Sequence, residues 1–200
     1  MEVSERGDLT MNFAVLASGN GTNLQAIIKA VRAKQIKATL KVVFSDKPNA
    51  FALERARKAM VPVVAHLLPS SFESKEAFDQ AVIDILKKEE IDFVVLAGYM
   101  RILTPLFIEA YRDKILNIHP SLLPSFKGAH AIKDALKFGV KVTGVTVHFV
   151  DEEVDHGRII AQKAVEIAAG DTYDLLAEKI HAVEHQLYPY AISLFVRKRV

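Results

Sequence analysis

The sequence predicts an α/β fold: a mostly parallel, twisted sheet with flanking helices and an antiparallel hairpin in the C-terminal part. Three observations predict it. Short apolar runs, of the kind a sheet buries on both faces, alternate with stretches whose apolar residues recur at helical spacing. Several of these runs end in a turn that leads into a helix, as a parallel sheet requires. Beyond residue 140 the pattern changes, and two strand-like runs are joined only by the short link of residues 151–158.

The first strand is Asn12-Phe13-Ala14-Val15-Leu16-Ala17, a near-continuous apolar run. Ser18-Gly19-Asn20-Gly21-Thr22-Asn23 follows, and then Leu24, Ile27, Ile28 and Val31 lie on one face of a helix. Glycines let the backbone approach a ligand, and free amides at a helix start attract an anion. The turn therefore suits a phosphate cradle, and it equally suits an ordinary tight βα connection. It is not a dinucleotide fingerprint, because Leu24 stands where the third glycine belongs. Residues 41–44 form the second strand, closed by Asp46, which has the place of either a ribose-binding acid or a turn residue. Residues 51–60 read as a helix and 61–65 as a third strand, which Pro62 confines to a strand start or a sheet edge. Ser74 is placed to cap a helix whose apolar face is Phe78, Val82, Ile85 and Leu86.

Residues 92–97 are the fourth strand, ending at Gly98-Tyr99-Met100-Arg101-Ile102-Leu103. A glycine there leaves room for a ligand, and Met100, Ile102 and Leu103 around one arginine suit a pocket for a flat, partly anionic molecule. The competing expectation is a loop that folds its apolar residues into the core. Pro105 then opens a helix. The fifth strand runs from Lys114-Ile115-Leu116 into Asn117-Ile118-His119-Pro120-Ser121-Leu122-Leu123-Pro124. Alternation puts Asn117 and His119 on the same side, and Pro120 holds the preceding backbone extended. An amide and an imidazole at a strand's end are what a site acting on a carbonyl needs; the alternative is a capped strand end with a satisfied histidine.

Residues 129–138 read as a helix closed by Gly139, and residues 142–150 as a strand with Thr146 and His148 on one face. The link Asp151-Glu152-Glu153-Val154-Asp155-His156-Gly157-Arg158 has the composition of a solvated turn, with Asp155 set apart because His156-Gly157 turns the chain beside it. Residues 159–167 complete the hairpin. Gly170-Asp171-Thr172 opens a long last helix with Leu176, Ile180, Val183, Leu187 and Leu194 on its apolar face, which Pro189 is expected to kink or interrupt. Within it, His181-Ala182-Val183-Glu184-His185 matches the H-x-x-E-H pattern of inverted zinc peptidases. The two histidines share a face, but a third zinc ligand would have to come from elsewhere.

Two hundred residues suit one domain with a substantial core, residues 1–200, of which 1–11 read as a flexible N-terminal extension. Half the residues are hydrophobic and a formal charge of +2 gives no signature for nucleic acid or acidic lipid. The absence of cysteine excludes disulfides, thiolate metal sites and cysteine nucleophiles, and fits a cytoplasmic location. The polar opening residues lack the apolar core of a signal peptide, and no apolar run approaches membrane-spanning length.

Several separated segments resemble the phosphoribosylglycinamide formyltransferase family of purine biosynthesis. They are Ser18-Gly19-Asn20-Gly21-Thr22-Asn23-Leu24-Gln25, residues 97–103, residues 117–124, Val147-His148-Phe149-Val150 with Asp155, and Glu184-His185 with Tyr188-Pro189. Order and spacing agree over residues 12–195. The Ser-Leu-Leu-Pro segment with its Asn, His and Asp is shared by other 10-formyltetrahydrofolate enzymes; the Ser-Gly-Asn-Gly-Thr-Asn turn points to the purine enzyme. A methionyl-tRNA formyltransferase is expected to carry a further C-terminal domain and a formyltetrahydrofolate hydrolase an extra N-terminal one, and the chain is expected to carry neither.

The resemblance implies a Rossmann-like formyltransferase fold with a mononucleotide-binding N-terminal half. It implies transfer of a formyl group from 10-formyltetrahydrofolate to the primary amine of glycinamide ribonucleotide, giving N-formylglycinamide ribonucleotide and tetrahydrofolate without a metal. The implied partners are those two small molecules, with no nucleic acid and no membrane, in a monomer or homodimer. Asn117, His119 and Asp155 would be catalytic. Gly21, Thr22 and Asn23 would hold the substrate phosphate and Glu184 its ribose. Lys75, Leu96, Met100, Arg101, Ile102, Leu103 and Asn117 would line the folate site, completed by Val150, Asp151, Glu152, Glu153, Val154 and Asp155. Attack of the amine on the formyl carbon builds negative charge on oxygen, which Asn117 and a protonated His119 would stabilise by donating N–H groups, with Asp155 favouring the imidazolium and helping to move a proton. Three features depart from the family pattern: Lys75 where an arginine is common, Arg158 where a proline is common, and the basic tail Arg197-Lys198-Arg199, read as a solvent-exposed end.

Overall fold

The computed structural model describes residues 11–198, so the expected extension up to residue 10, and Arg199 of the basic tail, lie outside the described residues. In chain order the elements are β1 (Asn12–Leu16), α1 (Thr22–Arg32), β2 (Thr39–Ser45), α2 (Phe51–Lys58) and β3 (Val63–His66). Then come α3 (Lys75–Lys88), β4 (Phe93–Leu96), α4 (Pro105–Ala110) and β5 (Ile115–His119). The C-terminal part is α5 (Ala131–Phe138), β6 (Val142–Phe149), β7 (Ile159–Glu166) and α6 (Tyr173–Val196). All seven strands form one sheet in the order β3-β2-β1-β4-β5-β6-β7. The β1–β5 part is parallel, while β6 runs antiparallel to both β5 and β7.

Strand alternation sends each inner strand's residues into two cores. Phe13 and Val15 of β1 pack with α1, α2 and α6, whereas Ala14 and Leu16 pack with α3 and α4. All four are fully buried, which is why the run reads as continuously apolar. The chain leaves β1 in both directions, to β2 on one side and β4 on the other. The crevice beyond the strand ends at that reversal is where open α/β sheets bind ligands.

Local chemistry sets several boundaries. Ser74 Oγ accepts the Ala77 N–H at 3.0 Å and caps α3 as expected. The buried face of α3 is Phe78, Val82, Ile83 and Leu86, with Ile85 only partly covered, and it includes Asp79. Asp79 Oδ2 accepts the Thr104 N–H at 2.8 Å and its hydroxyl at 2.7 Å, which anchors the start of α4. β3 is an edge strand, consistent with Pro62 at its start.

Of the two outcomes expected at Pro189, interruption does not occur: α6 runs through it for 24 residues. A proline removes one N–H donor, and here the buried Tyr188, Ala191 and Ile192 around it hold the helix against the sheet. The same packing places the core face of α6 on Leu176, Ile180, Tyr188, Ala191 and Ile192, while Leu194 is half-buried. The fifth helix starts at Ala131 rather than 129, because the preceding residues cross over the end of β5. No helix among the described residues is long and apolar enough to cross a membrane.

Candidate active site

The C-terminal end of β5 presents Asn117 and His119 on one side, paired in register with His148 and Thr146 of β6. Asp155, in the β6–β7 link, closes over them. Its Oδ2 lies 3.2 Å from His119 Nδ1 and accepts the Gly128 N–H at 2.8 Å; its Oδ1 lies 3.7 Å from His148 Nε2. The other His119 nitrogen, Nε2, is 2.8 Å from the Phe126 carbonyl. Both ring nitrogens thus face oxygen acceptors, an arrangement satisfied when both carry a proton. Burial pushes the Asp155 carboxyl up. The adjacent His148 imidazole, the Gly128 N–H and the charge of His119 outweigh it and hold the group below the usual carboxylate value.

His148 orients the amide. Its Nδ1–H donates to the Phe149 carbonyl at 2.7 Å, and its Nε2 lies 3.2 Å from Asn117 Nδ2, between that amide and Asp155. The second Nδ2 hydrogen of Asn117 remains for a ligand. The loop after His119 is tied to the sheet: Thr146 Oγ1 donates to the Ser121 carbonyl at 2.7 Å and accepts the Leu123 N–H at 3.0 Å. Gln162 Nε2 reaches the Leu123 carbonyl and Thr146 Oγ1, both at 3.0 Å. The Asp155 turn is shaped by Gly157, where an added Cβ would stand 1.9 Å from the Phe149 carbonyl oxygen. Asp155 itself has φ 50, a left-handed conformation that Asp and Asn adopt more readily than most residues.

The turn before α1 makes a second cluster. Gly21 caps α1 with φ 74, and an added Cβ would meet Ala52 at 2.8 Å, so the position demands glycine on two counts. Asn23 Nδ2 donates to Glu184 Oε2 at 3.0 Å, and His181 Nδ1 lies 3.0 Å from the same oxygen. The hydrogen bond to Glu184 holds the His181 pKa above its ordinary value. Glu184 is buried, and Asn23 Oδ1 is buried without a partner among the described residues. One turn beyond Glu184, the Tyr188 hydroxyl lies 2.8 Å from the Leu96 carbonyl and 2.9 Å from the Leu116 carbonyl. α6 therefore fastens the start of α1 to the ends of β4 and β5. His181 and His185 share no metal-ligand group: among the described residues, no three His, Cys, Asp or Glu side chains are placed to hold a metal ion.

The β4–α4 loop divides between the two expectations for it. Met100 and Ile102 are 72% and 75% exposed, while Leu96 and Leu103 are buried in the core beside α3 and α4. Arg101 lies over the Phe78 ring, 4.5 Å from its centre. The loop is held to β1 by the Ser18 N–H donating to the Gly98 carbonyl at 3.0 Å and the Met100 N–H donating to Ser18 Oγ at 2.9 Å. Lys75 is exposed in the first turn of α3, one turn before Phe78 and Asp79. Val150, Asp151 and Asp155 are half-buried in the link, and Glu152, Glu153 and Val154 are exposed. Asp46 is buried with Oδ1 unpartnered among the described residues; burial, together with the charges of Asp46 and Asp79, raises the Tyr99 phenol and keeps it protonated.

The formyl transferase family profile matches residues 11–192. The chain belongs to this family. It is 47% identical over 181 residues to phosphoribosylglycinamide formyltransferase of Bacillus subtilis, covering 90% of this chain and 92% of that one. The human trifunctional purine biosynthetic protein adenosine-3 is 44% identical over 96% of this chain, which spans 20% of that much longer protein. The crystal structure of glycinamide ribonucleotide transformylase 1 from Symbiobacterium toebii superimposes with a TM-score of 0.92 at 47% identity, covering 95% of this chain and 89% of that one.

Within this formyl transferase three contributors escaped the sequence reading. The Phe126 carbonyl and the Gly128 N–H are backbone groups with no residue-type signal. Tyr188 was visible only as part of a motif, and its strapping role depends on where α6 crosses the sheet. Arg158, in the same link as Asp155, has its guanidinium 4.4 Å from the centre of the Phe149 ring.

Proposed function

We propose that this protein transfers a formyl group from 10-formyltetrahydrofolate to the amine of glycinamide ribonucleotide in purine biosynthesis, as a cytoplasmic enzyme working without a metal. The observation that carries the chemistry is the convergence of Asn117, His119 and Asp155 at the end of β5, with Asp155 Oδ2 3.2 Å from His119 Nδ1. The substrate phosphate sits against the Gly21, Thr22 and Asn23 backbone at the start of α1, and the ribose hydroxyls meet Glu184 and the unpartnered Asn23 Oδ1. The folate ring enters the crevice beside Met100, Arg101 and Ile102, under the 151–155 link.

The amine nitrogen attacks the formyl carbon, and the formyl oxygen takes up negative charge. Asn117 supplies its free Nδ2–H to that oxygen. For His119 the expected free N–H is not available, because both nitrogens already face acceptors. Its Nε2–H reaches the substrate by leaving the Phe126 carbonyl. Asp155 balances the imidazolium charge while negative charge builds on the formyl oxygen; it then helps carry the proton lost by the ammonium nitrogen to the folate nitrogen, which leaves as its bond to the formyl carbon breaks.

The test is the absorbance change on loss of 10-formyltetrahydrofolate, with and without glycinamide ribonucleotide, in the presence of a chelator. Turnover only with the ribonucleotide is expected. Turnover without it means hydrolysis and removes the assignment of the α1 turn; turnover abolished by the chelator removes the metal-free mechanism.

A further inference from the structure

A groove of about 820 Å³ runs between α1 and α6, away from Asn117, His119 and Asp155 but reaching Thr22 of the proposed substrate-phosphate turn at one end. Its size falls within the roughly 300–1,000 Å³ of small-ligand clefts. The floor is made of Ala26, Ala30 and Ala33 from α1 and Pro189 from α6. Lys29 and Arg197 form its charged sides, and among the described residues no Asp or Glu lines it. The sequence explains the imbalance. Residues 9–45 contain no acidic side chain but carry Lys29, Arg32, Lys34, Lys37 and Lys41, and residues 185–200 contain none but carry Arg197, Lys198 and Arg199. On a chain whose formal charge is only +2, that is a strong local concentration of positive potential.

The other lining groups sharpen the chemistry. Arg55 is already engaged, donating to the Asn20 carbonyl at 2.8 Å and to Asn20 Oδ1 at 2.9 Å, so it serves as wall. Lys29 and Arg197 make no ion pair among the described residues. Tyr190 stands 56% exposed on α6 with an aromatic face to offer. His185 also lines the groove; burial lowers its pKa towards the neutral imidazole, and its buried Nε2 has no hydrogen-bond partner among the described residues. A second copy of the chain fits poorly, since it would bring the same positive face against this one.

We propose that the α1–α6 groove is a second small-molecule site, taking a phosphate-bearing aromatic ligand of nucleotide size. Lys29 and Arg197 hold the phosphate, and the ring stacks on Tyr190 above the alanine floor. The groove meets the proposed substrate-phosphate turn at Thr22, so a ligand seated on Lys29 and Arg197 has to leave that turn open.

The test is calorimetric titration of the full chain with AMP as probe, alone and with saturating glycinamide ribonucleotide. Binding is expected in both conditions. Charge reversal in Lys29→Glu/Arg197→Glu weakens it roughly tenfold or more, while the melting temperature and formyl transfer are retained. Tyr190→Ala weakens it roughly threefold, and adenosine and inorganic phosphate each bind more weakly than AMP. The proposal is overturned if AMP does not bind, if the ribonucleotide displaces it, if charge reversal leaves its binding untouched, or if sedimentation shows a dimer that charge reversal dissolves. AMP binding that responds to charge reversal in a protein showing no formyl transfer would sink the proposed function and leave this site standing.

Discussion

Replacing Asp155 by Asn separates the charge of this residue from its shape. The left-handed backbone at φ 50 is one that Asn tolerates, and the Asn carbonyl oxygen still accepts the Gly128 N–H now held at 2.8 Å. What disappears is a negative charge 3.2 Å from His119 Nδ1. With an effective dielectric near 20, a pair at that distance interacts by about 5 kcal/mol before desolvation is counted. That ceiling exceeds the roughly 2.7–4 kcal/mol typical of losing one transition-state donor, so an imidazolium left without its counter-charge is enough to forfeit the whole contribution of His119. Turnover should therefore fall about 10²- to 10³-fold at 1.36 kcal/mol per decade. Weakening one charge-assisted hydrogen bond should lower stability by only about 1 kcal/mol, roughly 2–4 °C in melting temperature for a chain of this size. Initial rates of 10-formyltetrahydrofolate loss and a thermal melt measure both quantities. Near-normal kcat with a raised KM would refute the reasoning, because it would make Asp155 a binding group and not the partner of a charged His119.

Three further outcomes follow from the geometry. Tyr188→Phe removes a buried hydroxyl shared by the Leu96 and Leu116 carbonyls and should cost about 1–3 kcal/mol; an unchanged melting temperature would show that α6 does not strap β4 to β5. Gly157→Ala forces a Cβ to within 1.9 Å of the Phe149 carbonyl, so the Asp155 turn must open and kcat should collapse at least as far as in Asp155→Asn; full activity would contradict the packing of that turn. His181 has a folded pKa above its ordinary 6.5, so the stability it contributes is fully present below 6.5 and is lost as pH rises through the folded value. The melting temperature of the native chain relative to His181→Gln should accordingly decline over that window, and a difference independent of pH would remove the His181–Glu184 bond from the account.

The alternation of apolar runs and helical spacings was enough to predict the α/β class, because strands buried on both faces, such as β1, leave no polar positions to obscure them. Asn117, His119 and the turn at Gly21 were legible for a local reason: strand parity, proline and glycine constrain the backbone within a few residues. The sheet order was not legible, since the reversal on either side of β1 is fixed by which faces pack together and not by any one segment. Nor was the fate of residues 100–103, where Leu103 turned into the core and Met100 and Ile102 stayed out. That α6 continues through Pro189 has the same origin, as burial around it outweighs a local helix-breaking preference. Glu184 and Asn23 stand 161 residues apart, His119 meets the Phe126 carbonyl directly, and the Gly128 N–H is joined to it through Asp155. The sequence by itself determined which side chains could do chemistry, because residue type and strand parity are local. The tertiary structure decided which of their hydrogens were left free, because that depends on partners brought in from other elements.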